Sequence, residues 1–407
     1  MSPSPPATAG VIGTAFHPRT APLNRKAQWR EWAGYFAASV YHDGHLIEYN
    51  AIREAAALID VSPLYKYRVS GPDAVRLVDR VITRDATKIR VGQVVYSPWC
   101  DEEGKVVDDG TIARLDETAF RWTAADPNLR WLRLNARGLD VEIEEMSEEV
   151  AAVALQGPRS RAVLEAATGE EWSDLRYYRR RTTRLAGTAI DVSRTGYTGD
   201  LGYELWIPAG KAARAWDALM TAGAPHGIRP AGMLALDVAR LEAGLILIEV
   251  DYTSSRHAWI PEQRYSPFEI GLGRLVDLDG PNEFVGKQAL RAEREAGGPK
   301  RRLVGLEIDW ADVERLHQRQ GLAPTVPGAA WRTAVPLYAE GRRQVGRATS
   351  GTWSPTLKKL IALGSVDARF ETPGTPLWVE WTVAARRGLA RATVVPLPFF
   401  DPPRKRA

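Results

Sequence analysis

Two carboxylates stand side by side at Asp108 and Asp109, and two more, Asp200 and Glu204, sit in a glycine-rich stretch that also carries Tyr197 and Tyr203. Groups of these types can hold an amine, accept hydrogen bonds from an amide-like edge, or relay a proton once burial raises their pKa. The stretch reads Arg194-Thr-Gly-Tyr-Thr-Gly-Asp-Leu-Gly-Tyr-Glu-Leu-Trp-Ile-Pro208, with glycines at 196, 199 and 202. Glycine tolerates backbone angles closed to other residues and lets a ligand come near the main chain. After the turn the pattern becomes that of a strand. Tyr203, Leu205 and Ile207 share one face, and Glu204 and Trp206 share the other. A carboxylate beside a tryptophan on such a strand can grip a flat, hydrogen-bonding heterocycle; the same pattern also fits a hairpin with a solvated glutamate.

The aspartate pair needs a scaffold of its own. Residues 92–99 read as a strand, Cys100 to Lys105 as a polar turn, and the chain from Val106 onward as a second strand. On a strand, Asp108 and Asp109 point to opposite faces, so one can face a cavity while the other serves the structure. Tyr96 lies on the partner strand of this hairpin. Helices are predicted over residues 48–59, after Gly71-Pro72, over 128–137, 159–167, 211–221, 229–244 and 287–295. Residues 151–155 and 120–124 read as buried strands. Five arginines fall within residues 176–184, which suits a solvated strand face or an anchor for a string of carboxylates. Residues 245–300 are rich in proline and charge and read as a connector ending at Gly297-Gly-Pro299. Beyond it, short apolar runs such as 303–308 and 392–397 predict a small β-barrel or sandwich. The last residues, Pro402 to Ala407, read as a solvated tail.

Composition removes several classes of function. The chain has 407 residues, 44% of them hydrophobic, which suits two or three cored domains. Its 54 Lys and Arg against 50 Asp and Glu give a net charge of +4, too mild to argue for nucleic acid. No apolar run approaches the ~20 residues of a membrane span. The single cysteine, Cys100, excludes an intrachain disulfide and suits a reducing, cytoplasmic setting. The six histidines show no metal-ligand spacing with Cys100. The glycines at 196–202 precede a strand and not a helix, so they form no dinucleotide fingerprint.

The stretch R-T-G-Y-T-G-x-x-G-Y-E resembles the signature of the glycine cleavage T-protein family, the tetrahydrofolate-dependent aminomethyltransferases and their relatives. Other blocks resemble that family in its order: Asp60-Val-Ser62, Tyr96-Ser97, Gly104-Lys-Val-Val-Asp-Asp109, Ala154-Leu-Gln-Gly-Pro158, Arg240-Leu-Glu-Ala-Gly244, Phe284 to Leu290 and Thr349 to Thr356. The resemblance implies an α+β fold: a three-domain cloverleaf around a central folate cavity, closed by a C-terminal β-barrel. It divides the chain into a flexible N-terminal tail (1–20), a folate-binding region (21–298) and the barrel domain (299–407). The middle region comprises two interleaved subdomains, about 21–60 with 150–298, and 61–149.

The same resemblance implies an enzyme of the one-carbon transferase class. It assigns the catalytic role to Asp108 and contact with tetrahydrofolate to Tyr96, Tyr197, Glu204 and Arg240. A one-carbon unit, aminomethyl, methylene or methyl, would pass from a small methylated or aminomethylated donor to N5 of the folate; whether a lipoyl carrier protein takes part is left open. Three positions depart from the family pattern: Pro63 replaces a histidine, Ala125 an asparagine and Leu236 an arginine. A retained folate signature with an altered pocket points to an altered donor. An O- or S-demethylase is therefore the alternative, and a non-catalytic folate-binding protein is a second.

Overall fold

A computed structural model describes residues 10–340 and 343–407. Residues 1–9 of the expected N-terminal tail lie outside the described residues. Residues 10–20 do not behave as a tail: Ile12–Gly13 pairs with Tyr35–Ala38, and Phe16 is fully buried with its ring 5.8 Å from Trp216. One buried aromatic is enough to fix a short segment, because its transfer from water is worth roughly 2 kcal/mol.

Three cored units are visible. In the first, a six-stranded sheet runs Arg180–Leu185, Thr188–Ser193, Gly202–Pro208, Val150–Gln156, Ala56–Asp60, Ile228–Pro230. One face packs Leu58, Val153 and Leu205 against the helices Ser160–Thr168 and Ala212–Gly223 through Leu164 and Leu219. The other packs Ile59, Ala152 and Trp206 against the helices His45–Glu54 and Met233–Glu242 through Ile52 and Val238. The second unit is a five-stranded sheet in the order Val94–Cys100, Val106–Asp116, Ala119–Ala124, Tyr65–Ser70, Glu142–Glu145, with the helix Ala74–Val81 against it. The third is a closed six-stranded barrel, Arg301–Ile308 through Arg386–Val395, with the helix Trp310–Gln318 packed on it by Val313 and Leu316. This is the α+β cloverleaf with a terminal barrel that the resemblance implies.

Two further expectations are corrected. The helix expected over residues 48–59 ends at Glu54, and Ala56–Asp60 is a strand inside the six-stranded sheet. Ala56, Ala57, Leu58 and Ile59 are all fully buried, so both faces of the strand are apolar and no alternation distinguishes it from helix. The end of the chain is docked. Arg404 grips Asp200 with two hydrogen bonds, of 2.7 and 2.8 Å, and Arg161 donates to the carbonyl of Ala407 at 3.0 Å. These arginine contacts hold a segment whose composition reads as solvated.

Candidate functional site

The hairpin forms as expected, with one irregularity that decides the site. Trp99 pairs with Asp108 but Cys100 pairs with Val106, so Val107 is an extra residue in its strand. Such a bulge re-aims the side chains that follow it. Asp108 consequently faces the dry core of the five-stranded unit, beside Trp99. Its carboxylate has no exposed surface and accepts three hydrogen bonds: from the backbone of Asp109 (2.7 Å), the backbone of Asp126 (3.0 Å) and Asn128 Nδ2 (2.8 Å). Asn128 in turn accepts from the Trp99 indole at 3.2 Å. Burial, and then the charge of Asp109, push the Asp108 carboxyl well above the usual carboxylate range.

Asp109 faces the other way, on the same face as Tyr96 and toward the junction of the units. The Tyr96 hydroxyl donates to its Oδ2 at 2.5 Å, and the Tyr252 hydroxyl donates to its Oδ1. Burial raises the Asp109 carboxyl and the two phenols pull it back. The expected role of Asp108 therefore has no geometric support, whereas its neighbour presents a carboxylate where the lobes meet.

Glu204 arrives from the six-stranded sheet, paired with Ser193 and Ala154. Its side chain accepts a hydrogen bond from the Thr195 hydroxyl. Burial raises its carboxyl, and Thr195 and Arg121 oppose that shift. The face of Trp206 is already covered: the Arg121 guanidinium lies 4.1 Å from its ring and pairs with Asp191. The tryptophan is thus part of the scaffold and not a ligand platform. The glycines have a similar explanation. A Cβ on Gly196 or Gly202 would meet the Gln156 side chain at 2.1 or 2.3 Å. Gln156 accepts from Thr198 at 2.8 Å and donates to the carbonyl oxygens of Thr195 and Tyr203. The turn is glycine-rich to admit this buried amide.

Tyr197 projects from the turn and donates to the carbonyl of Ile246. Behind it lies Arg240, with no exposed surface. Arg240 Nη1 donates to Asp251 Oδ2 at 2.6 Å and to the carbonyl of Leu245 at 3.2 Å; its Nε and Nη2 have no hydrogen-bond partner. Asp251 also takes the hydroxyls of Thr349 (2.6 Å) and Ser350 (2.5 Å) from the barrel. Arg240 thus ties helix to barrel and is sealed from solvent.

Two residues escaped the sequence reading. Tyr252 lies in the segment read as a connector, and no periodicity marks it. Tyr178 has φ +59°, an unusual angle for a tyrosine. Its carbonyl accepts from Val94 and its N–H donates to the Arg194 carbonyl, at 2.9 and 3.0 Å, so it clasps two sheets together. Tyr96, Asp109, Tyr178, Tyr197 and Glu204 each keep some open surface, yet burial is the largest influence on every one of them. Tyr178 acts on Tyr96, and Glu204 on Tyr178, so these partly open side chains border one recess where the two sheets meet. Asp126, Glu249 and His257 also converge nearby, with His257 Nδ1 at 3.0 Å from Glu249 and 3.5 Å from Asp126. The contacts of His257 with the two carboxylates account for that partly exposed group.

Comparison with known proteins agrees with this architecture. Residues 17–280 match the family model for the GCVT N-terminal domain, and residues 301–401 match the glycine cleavage T-protein C-terminal barrel domain. The chain is 34% identical over 378 residues to an aminomethyltransferase of Desulforamulus reducens, covering 92% of this chain and 94% of that one. It is 35% identical over 406 residues to a trimethylamine-oxide aldolase of Ruegeria pomeroyi, covering 97% of this chain but 47% of that longer protein. Among solved structures, the glycine cleavage system aminomethyltransferase T from Bartonella henselae superposes with a TM-score of 0.81 at 25% identity, over 96% of this chain and 99% of the other.

Proposed function

The chain belongs to the glycine cleavage T-protein family, and from that premise we propose that it is a tetrahydrofolate-dependent transferase that takes a one-carbon unit from a small methylated or aminomethylated donor. One observation carries the reading: Asp109 and Glu204, on different sheets, face the same phenol-lined hollow. The chemistry of the groups there also suits a pterin. Thr195 is the one hydrogen-bond donor to the Glu204 carboxylate among the described residues, so that carboxylate has lone pairs left for an amino edge. Glu204, Tyr197 and Tyr96 would hold the folate, with Tyr178 beside them. The folate, when bound, supplies the N5 amine that takes up the one-carbon unit.

Asp109 takes the catalytic role. Two phenols fix its carboxylate, so it can hold the donor's amine in place and stabilise positive charge as the carbon departs. A carboxyl raised by burial can also hold or release a proton at Oδ1 or Oδ2. Arg240 is a positioning residue that supports Tyr197 through Asp251.

The likeness to a trimethylamine-oxide aldolase favours a methylated-amine origin for the carbon. The loss of polar groups at Ala125 and Leu236 agrees with a donor unlike that of the aminomethyltransferases. A carrier protein as co-substrate is the rival within this class. A cytoplasmic location accords with both readings.

The test combines binding with chemistry. Tetrahydrofolate titrated into the purified protein should give saturable heat, weakened by Glu204→Gln. Incubation with methylated amines should then yield methyl- or methylene-folate by mass. Absence of folate binding would overturn the reading.

A further inference from the structure

Three of the arginines in residues 176–184 are engaged within the protein. Arg180 holds Asp191 at 2.5 Å, Arg181 pairs with Asp174 at 3.1 Å, and Arg184 bonds the Gly187 carbonyl at 2.6 Å. His257 and its two carboxylates stand outside the folate site, yet they bear on it.

His257 closes a ring of contacts around the aspartate pair. The loop from Glu249 to His257 lies along the bulged strand. Ser254 Oγ donates to the Val107 carbonyl at 2.6 Å and the Ser255 N–H to the Val106 carbonyl at 2.8 Å, just ahead of the pair. From the same loop Tyr252 donates to Asp109 Oδ1. On the far side, the Asp126 N–H donates to Asp108 Oδ2 at 3.0 Å. The loop returns to that point. Arg256 Nη2 donates to the Pro127 carbonyl at 3.1 Å, and His257 Nδ1 lies 3.5 Å from Asp126 Oδ2 and 3.0 Å from Glu249 Oε1.

Two features single out His257 as the tie. Asp126 Oδ2 is buried and has no hydrogen-bond partner among the described residues, so a neighbouring cation must compensate it. Glu249 has φ +61°, a left-handed angle that persists in a residue with a side chain only where its contacts over-determine it. Its carboxylate supplies such contacts, accepting the Ser254 N–H at 3.0 Å and facing the His257 ring. One oxygen of each carboxylate and a ring nitrogen of His257 all lie within 4.8 Å of one another. Two carboxylates that close repel unless a cation lies between them. The other cation acting on Asp126 is Arg256, already turned to the Pro127 carbonyl; Asp108 and Tyr65 are the further titratable groups that Asp126 influences. The His257 side chain is partly exposed, so solvent can reach the ring.

We propose that His257 is a positioning residue for Asp109: as an imidazolium between Asp126 and Glu249, it latches the loop from Glu249 to His257 onto the aspartate hairpin and keeps Tyr252 on the Asp109 carboxylate. The latch loosens as the pH rises and the ring loses its proton. Its consequence for turnover rests on the role given to Asp109 above; the latch itself does not.

Hydrogen exchange on the full chain, read by mass on peptides covering residues 249–258, tests the latch without any ligand. The range from pH 5.5 to 8 spans the ordinary titration of an imidazole. Across it, protection of the wild-type loop, corrected for intrinsic exchange, should fall about fivefold, the worth of one or two partly exposed ion pairs. The barrel strands should keep their protection. His257→Gln should show the lower protection at every pH, and Asp126→Asn, which keeps its backbone N–H, should lose part of it. A wild-type loop equally protected at both ends of the range, or the same fall in His257→Gln, overturns the latch. The second readout is kcat with the methylated amine that gives most folate product in the assay above. It should fall over this range in the wild type and stay at the lower level in His257→Gln, with KM for tetrahydrofolate unchanged. Identical pH–rate profiles for the two proteins overturn the positioning role. If no methylated amine is turned over, the function proposed above fails and the role at Asp109 with it, while the exchange result still decides the latch.

Discussion

The charged groups that line the hollow differ from those sealed beside it in one respect. Asp109 and Glu204 keep open surface, and their protein partners are mainly hydroxyls. Asp108, Arg240 and Lys66 keep almost none. Asp108 and Lys66 are held chiefly by backbone groups and an amide; Arg240 is held by a carboxylate and a carbonyl. A hydroxyl can shift to accommodate a ligand, whereas a backbone amide inside a sheet cannot. The first set is therefore built to meet a partner, and the second to stay where it is. Substitutions in the first set should alter turnover or ligand affinity with little change in stability. Those in the second should do the reverse.

The largest effect is expected at Asp109. Asp109→Asn should cut turnover by about 10²–10⁴-fold, the range for a positioned acid–base or charge-stabilising group, while folate binding persists. Asp108→Asn removes one ionisable group from the core but keeps its shape. It should retain turnover per folded molecule. Measuring both rates alongside thermal melts separates the two carboxylates; a rate collapse in the Asp108 variant with wild-type melting would reverse the assignment.

Next comes Arg240. Arg240→Met leaves Asp251 buried without its cation, and removing one partner of such a pair costs about 3–5 kcal/mol. Urea unfolding should register that loss. A wild-type unfolding curve combined with weakened folate binding would instead put Arg240 in contact with the ligand. A smaller effect is expected at Glu204. Glu204→Gln keeps one acceptor but loses the charge, so tetrahydrofolate affinity should fall about ten- to a hundredfold, the worth of a charge-assisted hydrogen bond. Unchanged affinity would remove the carboxylate from the pterin site.

The division between these sets was only partly legible in the sequence. The strand alternation at 203–207 placed Glu204 and Trp206 on one face, and the hairpin placed Tyr96 on the strand that partners the aspartates. Both hold because period-two patterning fixes a face wherever one side is buried. The choice between Asp108 and Asp109 was not legible. Val106 and Val107 are both fully buried, so the residues before the pair carry no phase, and the bulge at Val107 resets it. Tyr252 and Tyr178 escaped for a related reason. Each is placed by a long-range contact, to Asp109 and across two sheets, in segments read as a connector and as a solvated strand face. The glycines were legible as a tight turn, but what fills it, the Gln156 amide, lies some 40 residues earlier in the chain.

The effect at Lys66 appears only as the pH is raised, and it tests the sealed set where no ligand is involved. Its ammonium donates to the carbonyls of Ser62 and Leu64, each at 2.6 Å, and burial pulls its pKa down from 10.5 to about 8. Between those two values the unfolded chain binds the proton and the folded chain has largely released it. Stability attributable to Lys66 must therefore rise with pH across that window, by at most about 3 kcal/mol for a shift of this size. Below pH 8 both states are protonated, and the folded one bears the full cost of a buried charge. Lys66→Met removes the titration. It also forfeits two hydrogen bonds, but that loss is the same at every pH and cannot imitate a slope. Unfolding free energies measured from pH 7 to 10 should show the wild type gaining on the variant as the pH climbs. Parallel curves would mean that water reaches the ammonium in the folded protein, and Lys66 would then belong with the groups that stay open.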